Sequence, residues 1–146
     1  MVYWLTGQPS SGKTVLSNEL EKELISVGFK PKRIDGDDLR ELISNKDYSI
    51  KGRVYNVDVA QKIAHYLHNQ DEIVIVSLVS PYIDQREEFK EMLGKGIKEF
   101  YIHTSEERER DCYHVKGYQK PINNFLDVDT TEDTIEESLL KILKVL

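Results

Sequence analysis

Residues Gly7-Gln8-Pro9-Ser10-Ser11-Gly12-Lys13-Thr14 place two glycines, a lysine and a hydroxyl in the spacing G-x-x-x-x-G-K-[ST]. Each residue type has a job around phosphate. Glycines let backbone N–H groups turn inward about a β-phosphate, and a helix N-terminus beyond them adds the positive end of its dipole. Lys13 is long enough to reach the β- and γ-phosphates, and the Thr14 hydroxyl is a ligand for Mg²⁺. The pattern needs a strand before it and a helix after it. Val2 to Thr6 is a short β-prone run, and from Lys13 to Val27 the residues Leu16, Leu20, Leu24 and Val27 recur at helical spacing up to Gly28, so both are supplied.

A second cluster, Asp35-Gly36-Asp37-Asp38-Leu39-Arg40, stands at the end of a predicted second strand, Pro31 to Asp35. Carboxylates around a glycine next to an arginine can orient water on Mg²⁺, accept a proton from a hydroxyl and clamp an anion through Arg40. The plainer alternative is an acidic helix N-terminus complementing the dipole, with Arg40 in solvent. No D-x-x-G occurs, and Asn45-Lys46-Asp47 is one residue too short for N-K-x-D, which excludes a regulatory GTPase. A small-molecule kinase fits better, since its acceptor site is built from the ends of neighbouring strands and short helices.

The elements that must position these groups alternate along the chain. Helices are predicted at Asp38 to Ser44, Arg53 to Asn69, Asp84 to Leu93 and Ser105 to Asp111. Strands are predicted at Glu72 to Val79, whose nearly continuous apolar residues suit a strand buried on both faces, at Lys98 to His103 and at Phe125 to Asp129. Cys112 to Asn124 has no periodicity and reads as an ordered loop or lid. Thr130 with Asp133 marks the start of a last helix ending at Leu146. The alternation predicts a three-layer α/β fold of the P-loop NTPase kind around a central, mostly parallel five-stranded sheet.

The 146 residues suit one domain, 1–146. Such a domain buries roughly two-thirds of its unfolded surface and needs no disulfide or structural metal. Cys112 has no partner for an internal bridge, and a cytoplasmic, reducing setting fits. The first basic residue is Lys13 and the longest apolar stretch, Ile73 to Val79, is broken by Ser77, so neither a signal peptide nor a membrane span is expected. With 20 Lys and Arg against 26 Asp and Glu, the net charge of −6 argues against nucleic acid as a partner. An anionic ligand must then be held by a few placed cations. His65 and His68, three apart on a predicted helix, read as helix-surface residues in preference to metal ligands.

Over most of its length the chain resembles the adenylylsulfate kinase family, P-loop enzymes that phosphorylate the 3′-hydroxyl of adenosine 5′-phosphosulfate with Mg-ATP. Trp4-Leu5-Thr6-Gly7 is similar to that family's first strand, and Asp35-Gly36-Asp37 with Arg40 to its Asp-Gly-Asp-x-x-Arg element. Tyr48-Ser49 falls where the family has Phe-Ser, and Arg53 and Asn56 match an Arg-x-x-Asn pair. Ser80-Pro81-Tyr82 with Arg86 downstream resembles a strand end in Ser-Pro-aromatic. Tyr101-Ile102-His103-Thr104 is similar to the fourth strand, and Lys116-Gly117 to the Lys-Gly of the lid.

The resemblance implies that Gly7 to Thr14 bind ATP, with Lys13 catalytic and a lid cation, Arg110 or Lys116, on the transferred phosphoryl group. It implies Mg²⁺ at Thr14 and Asp35, and Asp37 as the base or metal-organising carboxylate with Asp35 supporting it. Arg40, Arg53 and Asn56 would hold the phosphosulfate and ribose, Tyr48 would stack on adenine, and the backbone of Val79, Ser80 and Pro81 would form the adenine-side wall. Ser80 matches a serine sometimes assigned as a phosphoserine intermediate, although in-line transfer needs none and turn chemistry accounts for Ser before Pro. Phe125 is either the second adenine-stacking aromatic or a core residue, with Tyr118 or Tyr113 as substitutes.

The lid departs from the family pattern. Arg110-Asp111 and Lys116-Gly117 are present, but Cys112 to Val115 intervene without the usual proline, and Asn123-Asn124-Phe125 leads almost directly into the last strand. The strand begins at Val2, without the family's N-terminal arm, which leaves monomer and homodimer both open. The implied partners are ATP and adenosine 5′-phosphosulfate. The alternatives are a related small P-loop kinase acting on another nucleotide or a sugar, and a nucleotide-binding module without turnover. Asp37, Arg40, Arg53 and Asn56 together speak against the last, because an ATP sensor needs no acceptor set.

Overall fold

The computed structural model describes residues 1–106 and 114–146. Its elements in chain order are β1 (Val2–Thr6), α1 (Lys13–Ser26), β2 (Lys32–Asp35), α2 (Gly36–Leu42), α3 (Ile50–His68), β3 (Val74–Ser77), α4 (Ile83–Leu93), β4 (Ile97–His103), β5 (Phe125–Asp129) and α5 (Ile135–Leu143). The strands form one sheet in the order β2-β3-β1-β4-β5, and every pairing is parallel. Parallel strands end on the same side, so the segments leaving β1, β2 and β3 meet along one edge of the sheet, where α/β proteins of this kind bind ligands.

Alternation along the strands feeds two cores. Val2 and Trp4 of β1 join Val74 and Val76 of β3 beneath α3 and α4, with Ala60, Ala64 and Phe89. Tyr3, Leu5, Ile75, Phe100 and Ile102 face the other way and pack on Leu16, Leu20 and Leu24 of α1 and on Leu139 and Ile142 of α5. Both faces of β1 and β3 are therefore buried, as the apolar run around Ile73 to Val79 predicts.

The differences from the predicted boundaries have local causes. Helix α2 starts at Gly36 because the Asp35 carboxylate caps it, accepting from Asp37 N–H at 3.0 Å. Helix α3 starts at Ile50, where the Ser49 hydroxyl accepts from Gly52 N–H at 3.3 Å. The last helix starts not at Thr130 but after Thr134, whose hydroxyl accepts from Glu137 N–H at 3.2 Å, and it ends at Leu143. Thr130 instead donates to the carbonyls of Ser11 and His103, at 2.8 and 3.1 Å. Residues 104–106 are not helical, and the rest of the helix predicted over Ser105 to Asp111 lies outside the described residues. Among the described residues no helix is long and apolar enough to cross a membrane.

His68 is part-buried, and its Nδ1 lies 3.1 Å from the Met1 amine. Burial first, then the positive amine and His65, hold its pKa below the ordinary imidazole value, so the ring is neutral in the fold. As pH falls, the unfolded chain takes up the proton first. Stability is therefore complete above the unfolded pKa and is lost as pH falls through it toward the folded one. The melting temperature is expected to drop as pH falls below the ordinary imidazole value of about 6.5, with a shallower slope in His68→Gln. Equal slopes in the two proteins would assign the loss to other groups.

Candidate active site

A cavity of about 640 Å³ opens at the strand ends and is lined on one side by Pro9, Ser10, Gly12, Lys13 and Thr14. The loop that carries them is shaped by close approach. At Gly7 a Cβ would fall 2.0 Å from the Ile102 carbonyl oxygen, so only glycine passes β4 here. Ser10 and Gly12 take positive φ values of 62° and 107°, which turns the chain around the loop's interior. Lys13 is buried, and its ammonium spans the loop, donating to the Gln8 carbonyl at 2.7 Å and lying 3.4 Å from Ser11 Oγ. Ser11 itself lies beneath the loop, where its carbonyl takes the Thr130 hydroxyl.

Facing this loop, the Asp35 carboxylate joins three elements. Its Oδ2 accepts from Thr14 Oγ1 at 3.3 Å and from Ser77 Oγ at 3.1 Å, while Oδ1 caps α2. Asp37, in the first turn of α2, also lines the cavity. Among the described residues no group of three His, Cys, Asp or Glu is placed to hold a metal ion. Mg²⁺ keeps several waters and takes one or two protein oxygens beside substrate phosphates, and the Thr14 hydroxyl with the Asp35 carboxylate would suit it.

The far wall is built by arginines that first fold their own loop. Arg40 Nη1 donates to the carbonyls of Asn45 and Asp47 at 3.1 and 3.0 Å, and its guanidinium lies 4.2 Å from the Tyr48 ring centre. It is therefore not simply a solvated charge at a helix end. Arg53 Nε donates to the Tyr48 carbonyl at 2.9 Å. Within the loop, hydrogen bonds from Ser49 hold the Asp47 carboxyl below the usual carboxylate range. Gly52 lets the loop close over α3, since a Cβ there would fall 2.1 Å from the Asp47 carbonyl oxygen. Asn56 is buried on the cavity wall, and its Oδ1 has no hydrogen-bond partner among the described residues. A buried acceptor left open on a cavity wall is the kind of group a ligand satisfies.

Val79, Ser80 and Pro81 form the remaining wall. Ser80 sits at φ 45°, unusual for a residue with a side chain, and two contacts hold it there. Trp4 Nε1 donates to Ser80 Oγ at 3.1 Å, and the buried Arg86 of α4 donates to the Ser80 carbonyl. Arg86 also donates to the Gln119 carbonyl, and its Nε lies 2.9 Å from Glu99 of β4. The Ser80 hydroxyl is thus buried and engaged with the indole, an arrangement that serves the turn.

Several predicted site residues lie elsewhere. Phe125 is not among the cavity-lining residues; it packs edge-on against Tyr101 across β4 and β5, with ring centres 6.4 Å apart. Tyr118 is no substitute stacker, because its ring lies 5.9 Å from Tyr101 and its hydroxyl is 2.8 Å from that of Thr6. Burial pushes the Tyr118 phenol far above its usual pKa and keeps it neutral. Gly7, Gln8 and Ser11 shape the loop without lining the cavity, and Lys116 is exposed outside it. Arg110, Cys112 and Tyr113 lie outside the described residues. The segment 114–124 has no helix or strand, as read from sequence, but it is bonded to the body of the protein along 115–119. Val115 and the pairing of Arg86 with Glu99 are not reached by sequence reasoning, nor is the bond of Thr130 to Ser11; the charge of Glu99 inside a strand is a signal for its pairing with Arg86.

A phosphate loop between β1 and α1 of a parallel 2-3-1-4-5 sheet, facing a carboxylate and two arginines across one cavity, defines a P-loop kinase. The family model for adenylylsulphate kinase matches residues 1–140, and the chain belongs to that family. It is 30% identical over 141 residues to the adenylyl-sulfate kinase of Clostridium acetobutylicum, covering 93% of this chain and 70% of the relative. The corresponding protein of Buchnera aphidicola is 31% identical over 140 residues, covering 92% and 68%. The structure of the Mycobacterium tuberculosis APS kinase CysC in complex with AMPPNP and APS superposes with a TM-score of 0.83 at 21% identity, covering 99% of this chain and 95% of that one. At that identity the likeness shows the fold.

Proposed function

We propose that the protein, as one kinase domain of 146 residues, transfers the γ-phosphoryl group of ATP to the 3′-hydroxyl of adenosine 5′-phosphosulfate, giving ADP and 3′-phosphoadenosine 5′-phosphosulfate. The observation that carries this reading is the meeting, in one cavity, of the phosphate loop with Asp37, Arg40, Arg53 and Asn56. The family's acceptor is doubly anionic, and the two arginines are cations in a protein of net charge −6. Their fork geometry suits phosphate and sulfate oxygens.

The loop amides and Lys13 hold the triphosphate tail, and Lys13 neutralises charge on the transferred group. Thr14, with the Asp35 carboxylate behind it, would hold Mg²⁺, which would supply further neutralisation of the phosphate charge. Asp37 accepts the proton of the 3′-hydroxyl as its oxygen attacks the γ-phosphorus and the bond to the ADP oxygen breaks. Arg40, Arg53 and Asn56 orient the acceptor, whose adenine lies along Val79, Ser80 and Pro81. The buried Ser80 hydroxyl, bonded to Trp4, supports direct transfer without a phosphoserine.

The test is ADP release from protein with Mg-ATP, adding adenosine 5′-phosphosulfate, nucleoside monophosphates or sugars one at a time. Turnover with the phosphosulfate alone is the expected result. Preference for another acceptor would make this a kinase of different substrate, and ATP binding without acceptor-dependent ADP would leave a binding module. In the same assay Arg53→Ala is expected to raise the acceptor KM about 10- to 100-fold, the loss of one or two charged hydrogen bonds. ATP affinity should change little. Equal loss of both would show that Arg53 does not face the acceptor.

A further inference from the structure

We propose that Gln8 is a positioning residue: its side chain holds Val115 as a roof over the phosphate end of the cavity, and without it water competes with the acceptor for the γ-phosphoryl group. The inference rests on the function proposed above. Within the phosphate loop Gln8 contributes its main chain, the carbonyl that receives Lys13. Its carboxamide reaches out of the loop and lies edge to edge with the backbone of a residue 107 positions away. Oε1 accepts from Val115 N–H at 2.8 Å, and Nε2 donates to the Val115 carbonyl at 2.9 Å. Nε2 also lies 3.1 Å from His114 Nε2, so both amide hydrogens and the oxygen have partners on one dipeptide.

What this pairing places is apolar. Val115 is 5% exposed, and it lines the cavity together with Pro9, Gly12 and Lys13. The same limb is fastened further along by Tyr118 on Thr6, by Gln119 N–H on the Pro81 carbonyl at 2.8 Å and by Arg86 on the Gln119 carbonyl. Those contacts hold the acceptor side, whereas Gln8 holds the phosphate side. A two-point amide pair fixes the orientation of the Val115 peptide as a strand ladder does, and with it the direction of the isopropyl group.

The chemical consequence concerns the nucleophile. Attack on the γ-phosphorus by the acceptor hydroxyl gives a phosphate ester and ADP; attack by water gives inorganic phosphate and ADP. In both cases the bond to the ADP oxygen breaks and the nucleophile gives up a proton. A roof of hydrocarbon on the cavity that Lys13 also lines, held by the residue whose carbonyl receives Lys13, removes a place for water.

The experiment measures inorganic phosphate and phosphorylated acceptor from Mg-ATP and adenosine 5′-phosphosulfate in the native protein, Gln8→Met, Gln8→Glu and Val115→Ala. Hydrogen exchange at the Val115 amide is followed in parallel. Methionine keeps the length and removes the pairing, glutamate places a carboxylate against the Val115 carbonyl, and Val115→Ala opens the roof while keeping the backbone pair. All three variants are expected to raise the ratio of free phosphate to phosphorylated acceptor about tenfold, with faster Val115 exchange in Gln8→Met, which has no acceptor for that amide. A native ratio in folded variants, or native exchange at Val115 in Gln8→Met, would overturn the proposal. Absence of acceptor-dependent turnover in the native protein would refute the proposed function instead, while phosphate release from ATP alone and the exchange measurement still test Gln8.

Discussion

Replacing Lys13 by methionine is expected to lower kcat/KM by about a thousandfold, or roughly 4 kcal/mol of transition-state stabilisation. Methionine keeps much of the buried stem and removes the charge. Lys13 is 8% exposed, so its ammonium acts where water screens it little, and its hydrogen bond to the Gln8 carbonyl shows that the head spans the loop. The expected cost falls mainly on kcat. The loop amides and the helix N-terminus bind phosphate independently of the lysine, so ATP affinity is expected to fall by less than about tenfold. Single-turnover transfer and ATP titration separate the two quantities. A rate loss under about tenfold would reduce Lys13 to a brace for the loop.

Asp37→Asn should lower kcat by about 10²- to 10⁴-fold with little change in either KM, the range ascribed to a positioned general base. Asparagine keeps the size and shape of the side chain. Asp37 enters the cap of α2 through its backbone N–H, donated to Asp35, and asparagine keeps that donor. If the carboxylate served only to complement the helix dipole, the change would cost at most about 1 kcal/mol of stability and leave kcat alone. Asp35→Asn makes the useful contrast, since Asp35 is tied to Thr14, Ser77 and the α2 cap at once. Its loss should weaken Mg²⁺ dependence and lower the melting temperature together.

Legibility in the sequence followed the range of the interactions. The phosphate loop and the Asp35 to Arg40 element could be read directly, because turn, cap and helix start lie within a few residues of the groups they present. Helix starts were misplaced where a nearby residue of the same type competed. Thr130 and Thr134 are both plausible caps, and only the distance from β5 to the phosphate loop assigns Thr130 to Ser11 and leaves Thr134 to cap α5. Arg40 was legible as a candidate cation of the site, but its bonds to the Asn45 and Asp47 carbonyls and its contact with Tyr48 were not, because they depend on how that loop closes over Gly52.

The sequence by itself determined the phosphate chemistry, the family and the alternation of strands and helices, since each rests on contiguous residues or on a short period. Tertiary structure decided what encloses that chemistry. The sheet order puts β4 beside β1, and residues 115–119 lie against the phosphate loop, the end of β1 and Pro81. Gln8 is thereby joined to Val115 and Thr6 to Tyr118, while Thr130, the residue after β5, meets Ser11, each across more than a hundred residues, and the pairing of β5 with β4 sets Phe125 on Tyr101 and not among the cavity-lining residues. Such pairings have no period and no local propensity; they exist only once the strands are in register.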